Sequence, residues 1–238
     1  MTSDCLPPQV PFDGLLSTMP LPQLLRMTPD HPELAKLADG DNGAADHSKF
    51  KHQTVNLVGI GVTGTAVPTE LDGVHWVYFP EDEYIFYRVT ILSNFSPLMV
   101  AKPWQQWSLL IEVSESRFRK NVWTGLGNTW PVDEQDLIRQ VIAGLHRGGM
   151  LPKDASIVST WSKRLEYGYP VPYVEPCMHV LTTAPFPHRY GYPVPYVERN
   201  MHVHTADMAL RNLGIWSRGR FGSWKYEVRT FQTTRACR

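Results

Sequence analysis

The sequence predicts an α+β protein, a mostly antiparallel sheet with flanking helices. Three observations carry this expectation. Runs rich in β-branched and aromatic residues recur at 55–62, 74–79, 85–92, 107–113 and 156–161. Between the last two lies a segment of helical period, with Leu137, Ile138, Val141, Ile142 and Leu145 on one face. The early strands are joined too closely for parallel crossovers: nine residues separate Gly64 from Val74, interrupted by Pro68 and Gly73, whereas a crossover takes roughly a dozen or more.

Taken in order, residues 12–19 read as a short strand ended by Pro20, and Asp30-His31-Pro32-Glu33 opens a short helix, with Asp30 as cap and Pro32 in the first turn. The polar, glycine-bearing stretch 39–51 has the chemistry of an inserted surface loop. The five strand-like runs follow. The helix at 137–145 is opened by Asp133 and closed by Gly148-Gly149 before Pro152.

Composition bounds the function. The chain has 238 residues, 42% hydrophobic and 11% aromatic, which suffices for a packed core and argues against disorder. Lys+Arg and Asp+Glu both number 23, so no basic excess drives binding to nucleic acid or anionic lipid, and any anion site must be local. Cys5, Cys177 and Cys237 are scattered, which suits free thiols in a reducing compartment and predicts a cytoplasmic protein. The N-terminal residues lack the pattern of a signal peptide, and no apolar run approaches a membrane span.

Residues 167–180 (YGYPVPYVEPCMHV) recur almost unchanged at 190–203 (YGYPVPYVERNMHV). Two proline-rich, extended copies cannot stack into a solenoid, which needs at least about three units. The near-identity points to a recent duplication.

Gly59-Ile60-Gly61-Val62-Thr63-Gly64 has the spacing of a dinucleotide-binding turn. That turn must open a helix whose N-terminal amides face the pyrophosphate, and no helix fits before Val74, so a strand followed by a turn is expected instead. His202 and His204, with His179 and His188 nearby, lack a third ligand at metal-binding spacing, and no metal site is predicted. Arg88 lies mid-strand, and alternation places it on the face opposite Tyr87, Val89 and Ile91. An arginine so placed needs an anion: either an internal salt bridge, with Glu112 on a neighbouring strand as partner, or a bound ligand. The run 216–226 (WSRGRFGSWKY) sets arginines, glycines and aromatics together. It suits a phosphorylated ligand, through bidentate guanidinium contacts and close backbone approach, or else an aromatic strand edge with solvated arginines.

Four segments in order resemble the eukaryotic UDP-galactopyranose mutases: YFPED at 78–82 with FYRVTILSNFSP at 86–97, WSLLIEVSES at 107–116, YGYPVP at 167–172, and the run at 216–226. The similarity extends from about residue 10 to residue 228 and covers the later half of that family's chain. It implies part of an FAD-binding Rossmann-type flavoprotein, divided into residues 1–50 (a remnant of the flavin-domain region plus an insertion), 51–166 (the substrate-contacting sheet), 167–203 (the duplicated linker) and 204–238 (a C-terminal return with an altered tail).

The implied activity is the interconversion of UDP-galactopyranose and UDP-galactofuranose on reduced FAD, with UDP-galactose as ligand and a homo-oligomer as in the family. By the same resemblance Arg88 holds the substrate diphosphate and Tyr78, Tyr226 and either Tyr169 or Tyr192 supply hydroxyls to it. Trp76 lies beside the sugar, Phe95 stands where the family carries tyrosine, and Arg220, between Gly219 and Gly222, lies at the flavin. The flavin fingerprint and the uridine-binding helical region have no counterpart here. The chain is thus expected to be a truncated or misassembled form, impaired as a catalyst. Two alternatives stand beside it: an amine-oxidase-like FAD oxidoreductase and a non-catalytic UDP-sugar-binding fragment.

Overall fold

A computed structural model of the chain describes residues 10–39, 49–65, 67–81, 83–115, 133–170 and 199–225. They fall into two compact units, one built from the described residues up to 51, residue 170 and those from 199 onward, the other from residues 52–169.

The second unit is a five-stranded sheet with the order β3-β4-β5-β2-β6. Its strands are β2 (His52–Thr63), β3 (Trp76–Tyr78), β4 (Arg88–Ile91), β5 (Gln106–Glu115) and β6 (Ile157–Pro170). The pairings β2–β5, β3–β4 and β4–β5 are all antiparallel, as the short connections require. The predicted α+β class with a mostly antiparallel sheet is the observed one.

One face of the sheet carries the core. Val58, Ile60 and Val62 of β2, Val89 and Ile91 of β4, and Leu109, Ile111 and Val113 of β5 pack with Leu137, Val141 and Leu145 of helix α3 (Glu134–Arg147). Residues two apart on a strand and three or four apart on a helix share a face, so each pattern buries one row. Asp133 caps α3, its carboxylate accepting from the Asp136 amide at 3.1 Å, and Gly148 ends it.

Boundaries depart from the sequence expectation at three strands. The runs 74–79 and 85–92 are regular only at β3 and β4, while β6 runs nine residues past the expected end at 161. In the last case tertiary pairing overrides local signals: the Thr54 hydroxyl of β2 donates to the Glu166 carbonyl at 2.9 Å, holding the strand down beyond its apolar part.

The first unit pairs β1 (Leu15–Ser17) with β7 (Ile215–Ser217) in parallel, and adds helices α1 (Leu21–Arg26), α2 (Pro32–Asp39), α4 (Arg199–Asn212) and α5 (Gly219–Gly222). Pro32 stands in the first turn of α2, as expected. Helices α1 and α4 carry weaker sequence signals. In α4 a narrow seam of Ala206 and Leu210, four residues apart, is fully buried. Helix α4 also takes in Arg199–Val203, so the end of the second YGYPVP copy is helical rather than extended. No described helix is long and apolar enough to cross a membrane.

Candidate functional site

The face of the sheet away from α3 brings four of the singled-out residues together. Register places Tyr78 opposite Arg88 and Arg88 opposite Glu112, so the three form one row across β3, β4 and β5. Arg88 donates through Nε to Glu112 Oε1 at 2.8 Å and through Nη2 to the same oxygen, and Nη2 also donates to the Tyr169 hydroxyl at 2.9 Å. The Tyr169 hydroxyl in turn donates to Glu112 Oε2 at 3.2 Å. Of the two readings of Arg88 drawn from sequence, the internal salt bridge with Glu112 is the one observed. Burial works against charge on Arg88, but hydrogen bonds to Tyr78 and Glu112 outweigh it and raise its pKa above the ordinary arginine value.

Tyr87 departs from expectation. Strand alternation would send it to the core face, yet its hydroxyl donates to Glu112 Oε2 beside Arg88. Regular β4 begins only at Arg88, so the alternation does not extend back to residue 87. Burial, followed by the nearby Glu112 and Tyr169, pushes the Tyr87 hydroxyl pKa far up. The same causes, burial first and then Glu112, raise that of Tyr169. Both remain protonated donors across the physiological range.

At the outer end of the row the surface is aromatic. Trp76 and Phe95, both about half exposed, lie with ring centroids 5.4 Å apart, and the His75 ring meets Phe95 edge-on at 4.5 Å. The segment 93–96 fixes Phe95 there. Asn94 donates to the carbonyls of Leu71 and Val74, both at 2.7 Å, Ser93 accepts from the Ser108 amide at 2.9 Å, and Ser96 caps the next turn through the Leu98 amide at 3.2 Å. With its polar neighbours turned inward as anchors, Phe95 is left facing out.

Farther along this face, Gly59 and Gly61 floor a hollow of about 380 Å³ walled by Met99, Ser159 and Trp161. A Cβ at Gly59 would lie 2.1 Å from Trp161 Nε1, and one at Gly61 would lie 2.5 Å from Ser159 Oγ. The glycines thus serve side-chain packing within an antiparallel strand. The next regular element is a single 3-10 turn at Thr69–Leu71, so no helix N-terminus stands ready for a pyrophosphate. The stretch Gly59–Gly64 therefore lacks the strand, glycine turn and helix order that a flavin dinucleotide needs, and these residues do not fit that group.

The glycine-arginine run lies in the first unit. Gly219, at φ +79°, turns the chain from β7 into α5 in the left-handed region that favours glycine. Gly222 is buried, and a Cβ there would stand 2.8 Å from Ser217 Oγ. Trp224 is fully buried, donating to the Lys51 carbonyl at 3.1 Å and meeting Phe50 edge-on at 5.6 Å. Arg218 pairs with Asp207 at 3.4 Å and donates to the Ser217 carbonyl at 2.8 Å. Much of this run therefore builds the unit itself, while Arg220 is exposed. Tyr192, Tyr226, His179 and His188 lie outside the described residues. Among the described residues no group of three or more potential ligands stands close enough to hold a metal.

No family model matches the chain. A solved structure of reduced UDP-galactopyranose mutase matches it at 33% identity with a TM-score of 0.63, over 91% of this chain and 37% of that one. The chain thus spans little more than a third of the length of that protein and shares the architecture of that part.

Proposed function

We propose that this chain, similar to part of UDP-galactopyranose mutase, carries the substrate-contacting sheet for interconversion of UDP-galactopyranose and UDP-galactofuranose. The observation that supports the reading is the Tyr78–Arg88–Glu112 row, closed by Tyr169 and bordered by exposed Trp76 and Phe95. Arg88 would engage the diphosphate of UDP-galactose, because a guanidinium gives phosphate oxygens charge-assisted hydrogen bonds. Tyr78 and Tyr169 add hydroxyl donors, with Tyr192 and Tyr226 in the same role by resemblance. Trp76 and Phe95 offer ring faces to the sugar. Phe95 lacks the hydroxyl that a tyrosine would add, a loss of about 1 kcal/mol if that group bonds a ligand.

Reduced FAD would supply the nucleophilic chemistry of the mutase reaction. Arg220, Gly219 and Gly222 are assigned to it by resemblance alone. A chain that recognises UDP-sugars without catalysing their interconversion is the second reading, favoured because Gly59–Gly64 forms a strand and turn with no helix following. An amine-oxidase-like activity would instead show as oxygen uptake with an amine.

Calorimetric titration of the full chain with UDP tests the reading, alongside Arg88→Ala and a visible spectrum for bound flavin. Binding that Arg88→Ala abolishes supports it, and no binding by the unsubstituted chain overturns it. A yellow protein that converts UDP-galactofuranose when reduced separates mutase from passive binder.

A further inference from the structure

The geometry points to Glu112 as a positioning residue that fixes the guanidinium of Arg88 for an anionic ligand, with Tyr87 and Tyr169 locking Glu112 in turn. This rests on the reading of Arg88 as a diphosphate contact. Glu112 is only 5% exposed and stands directly across the β4–β5 ladder from Arg88. Its two oxygens divide the work. Oε1 accepts from Nε and Nη2 of Arg88, and Oε2 accepts from the hydroxyls of Tyr87 and Tyr169.

A guanidinium has five N–H donors in a fixed plane. Glu112 takes one from Nε and one from Nη2, and Tyr169 takes the other on Nη2. That edge of the fork is pinned. The Nη1 donors lie on the side bordered by Tyr78, whose ring centroid is 6.0 Å from Arg88 Cζ and whose hydroxyl also bonds the guanidinium. A partner that accepts on one edge leaves the plane fixed and the opposite edge presented. That saves a ligand the cost of ordering a long side chain.

A carboxylate beside an anion site also repels the anion, so the two effects of Glu112 have opposite signs, and substitutions separate them. Glu112→Gln keeps the geometry: its amide oxygen accepts from Arg88 while its amide nitrogen donates to the two tyrosine hydroxyls. With the charge gone, UDP should bind about three- to tenfold more tightly than to the unsubstituted chain. Glu112→Ala removes charge and anchor together, and positioning predicts that UDP binds about fivefold or more weakly despite the lost repulsion.

The test is calorimetric titration of the full chain and both variants with UDP, with thermal melting to establish that each is folded. Exchange of the Arg88 Nε proton with water, followed by NMR, reads the anchor directly. The expected result is affinity in the order Glu112→Gln, unsubstituted, Glu112→Ala, with slow Nε proton exchange in the first two. Glu112→Ala binding UDP as tightly as the unsubstituted chain would overturn the positioning role while leaving Arg88 as the diphosphate contact. UDP binding that is absent, or indifferent to Arg88→Ala, overturns the underlying reading and this inference with it. Should Glu112→Ala fail to fold, the remaining two chains decide, and Nε exchange at the rate of a free arginine in either one rejects the role.

Discussion

Gly59 lies directly beneath the indole of Trp161, so close that a Cβ on residue 59 would stand 2.1 Å from Nε1. Alanine at that point of β2 must therefore displace the ring or the strand. Because Trp161 is half exposed, the ring can swing outward at modest cost. Gly59→Ala is expected to lose about 1–3 kcal/mol, typical of overpacking, and to red-shift tryptophan emission as Trp161 enters water. Urea denaturation followed by fluorescence checks both, and an unchanged midpoint and spectrum would contradict the packing.

Tyr87→Phe removes one of the hydroxyls that satisfy the buried Glu112 carboxylate. The expected loss is about 1–3 kcal/mol, the cost of leaving a buried acceptor short of a partner. Tyr87 is only 4% exposed, so solvent cannot substitute. Denaturation midpoints of the two chains measure the difference.

The raised pKa values of Tyr87 and Tyr169 set a pH window. A folded-state value above the ordinary tyrosine value of 10.0 means that the unfolded tyrosines release protons first. The stabilisation is complete below pH 10, declines as pH rises past it, and is lost as pH passes through the folded values. Absorbance titration at the tyrosinate band should show two tyrosines that stay protonated until the chain unfolds in alkali. Simultaneous titration of every tyrosine near pH 10 would refute the buried network.

Ser217 Oγ is buried with no hydrogen-bond partner among the described residues, beside Gly222. Ser217→Ala relieves an unpaired polar group and should stabilise the first unit by up to about 1 kcal/mol. A fall in stability would reveal a partner for that hydroxyl.

Asp133→Ala removes the N-cap of α3, whose apolar face covers the sheet. A loss of about 1 kcal/mol is expected, read from thermal unfolding. Asparagine at the same position should recover most of it.

Patterns that depend on neighbours in sequence were legible in the sequence. The 3.6-residue period of Leu137, Val141 and Leu145 with its aspartate and glycine boundaries specified α3, and β-branched runs with short connections specified an antiparallel sheet. Phe95 and Trp76 were singled out through the resemblance. That their rings meet, tilted at 60° with centroids 5.4 Å apart, follows from the anchoring of Ser93, Asn94 and Ser96, which composition does not reveal.

Arg88 and Glu112 could be named as possible partners because both sit in strands, but only the register places them opposite each other. The hydroxyl of Tyr87, the indole over Gly59 and the burial of Trp224 were decided by tertiary structure. Each depends on residues far apart in the chain meeting across a sheet or within a unit. Strand alternation fixes which face a side chain takes, whereas pairing register and the end of regular strand fix what it meets there.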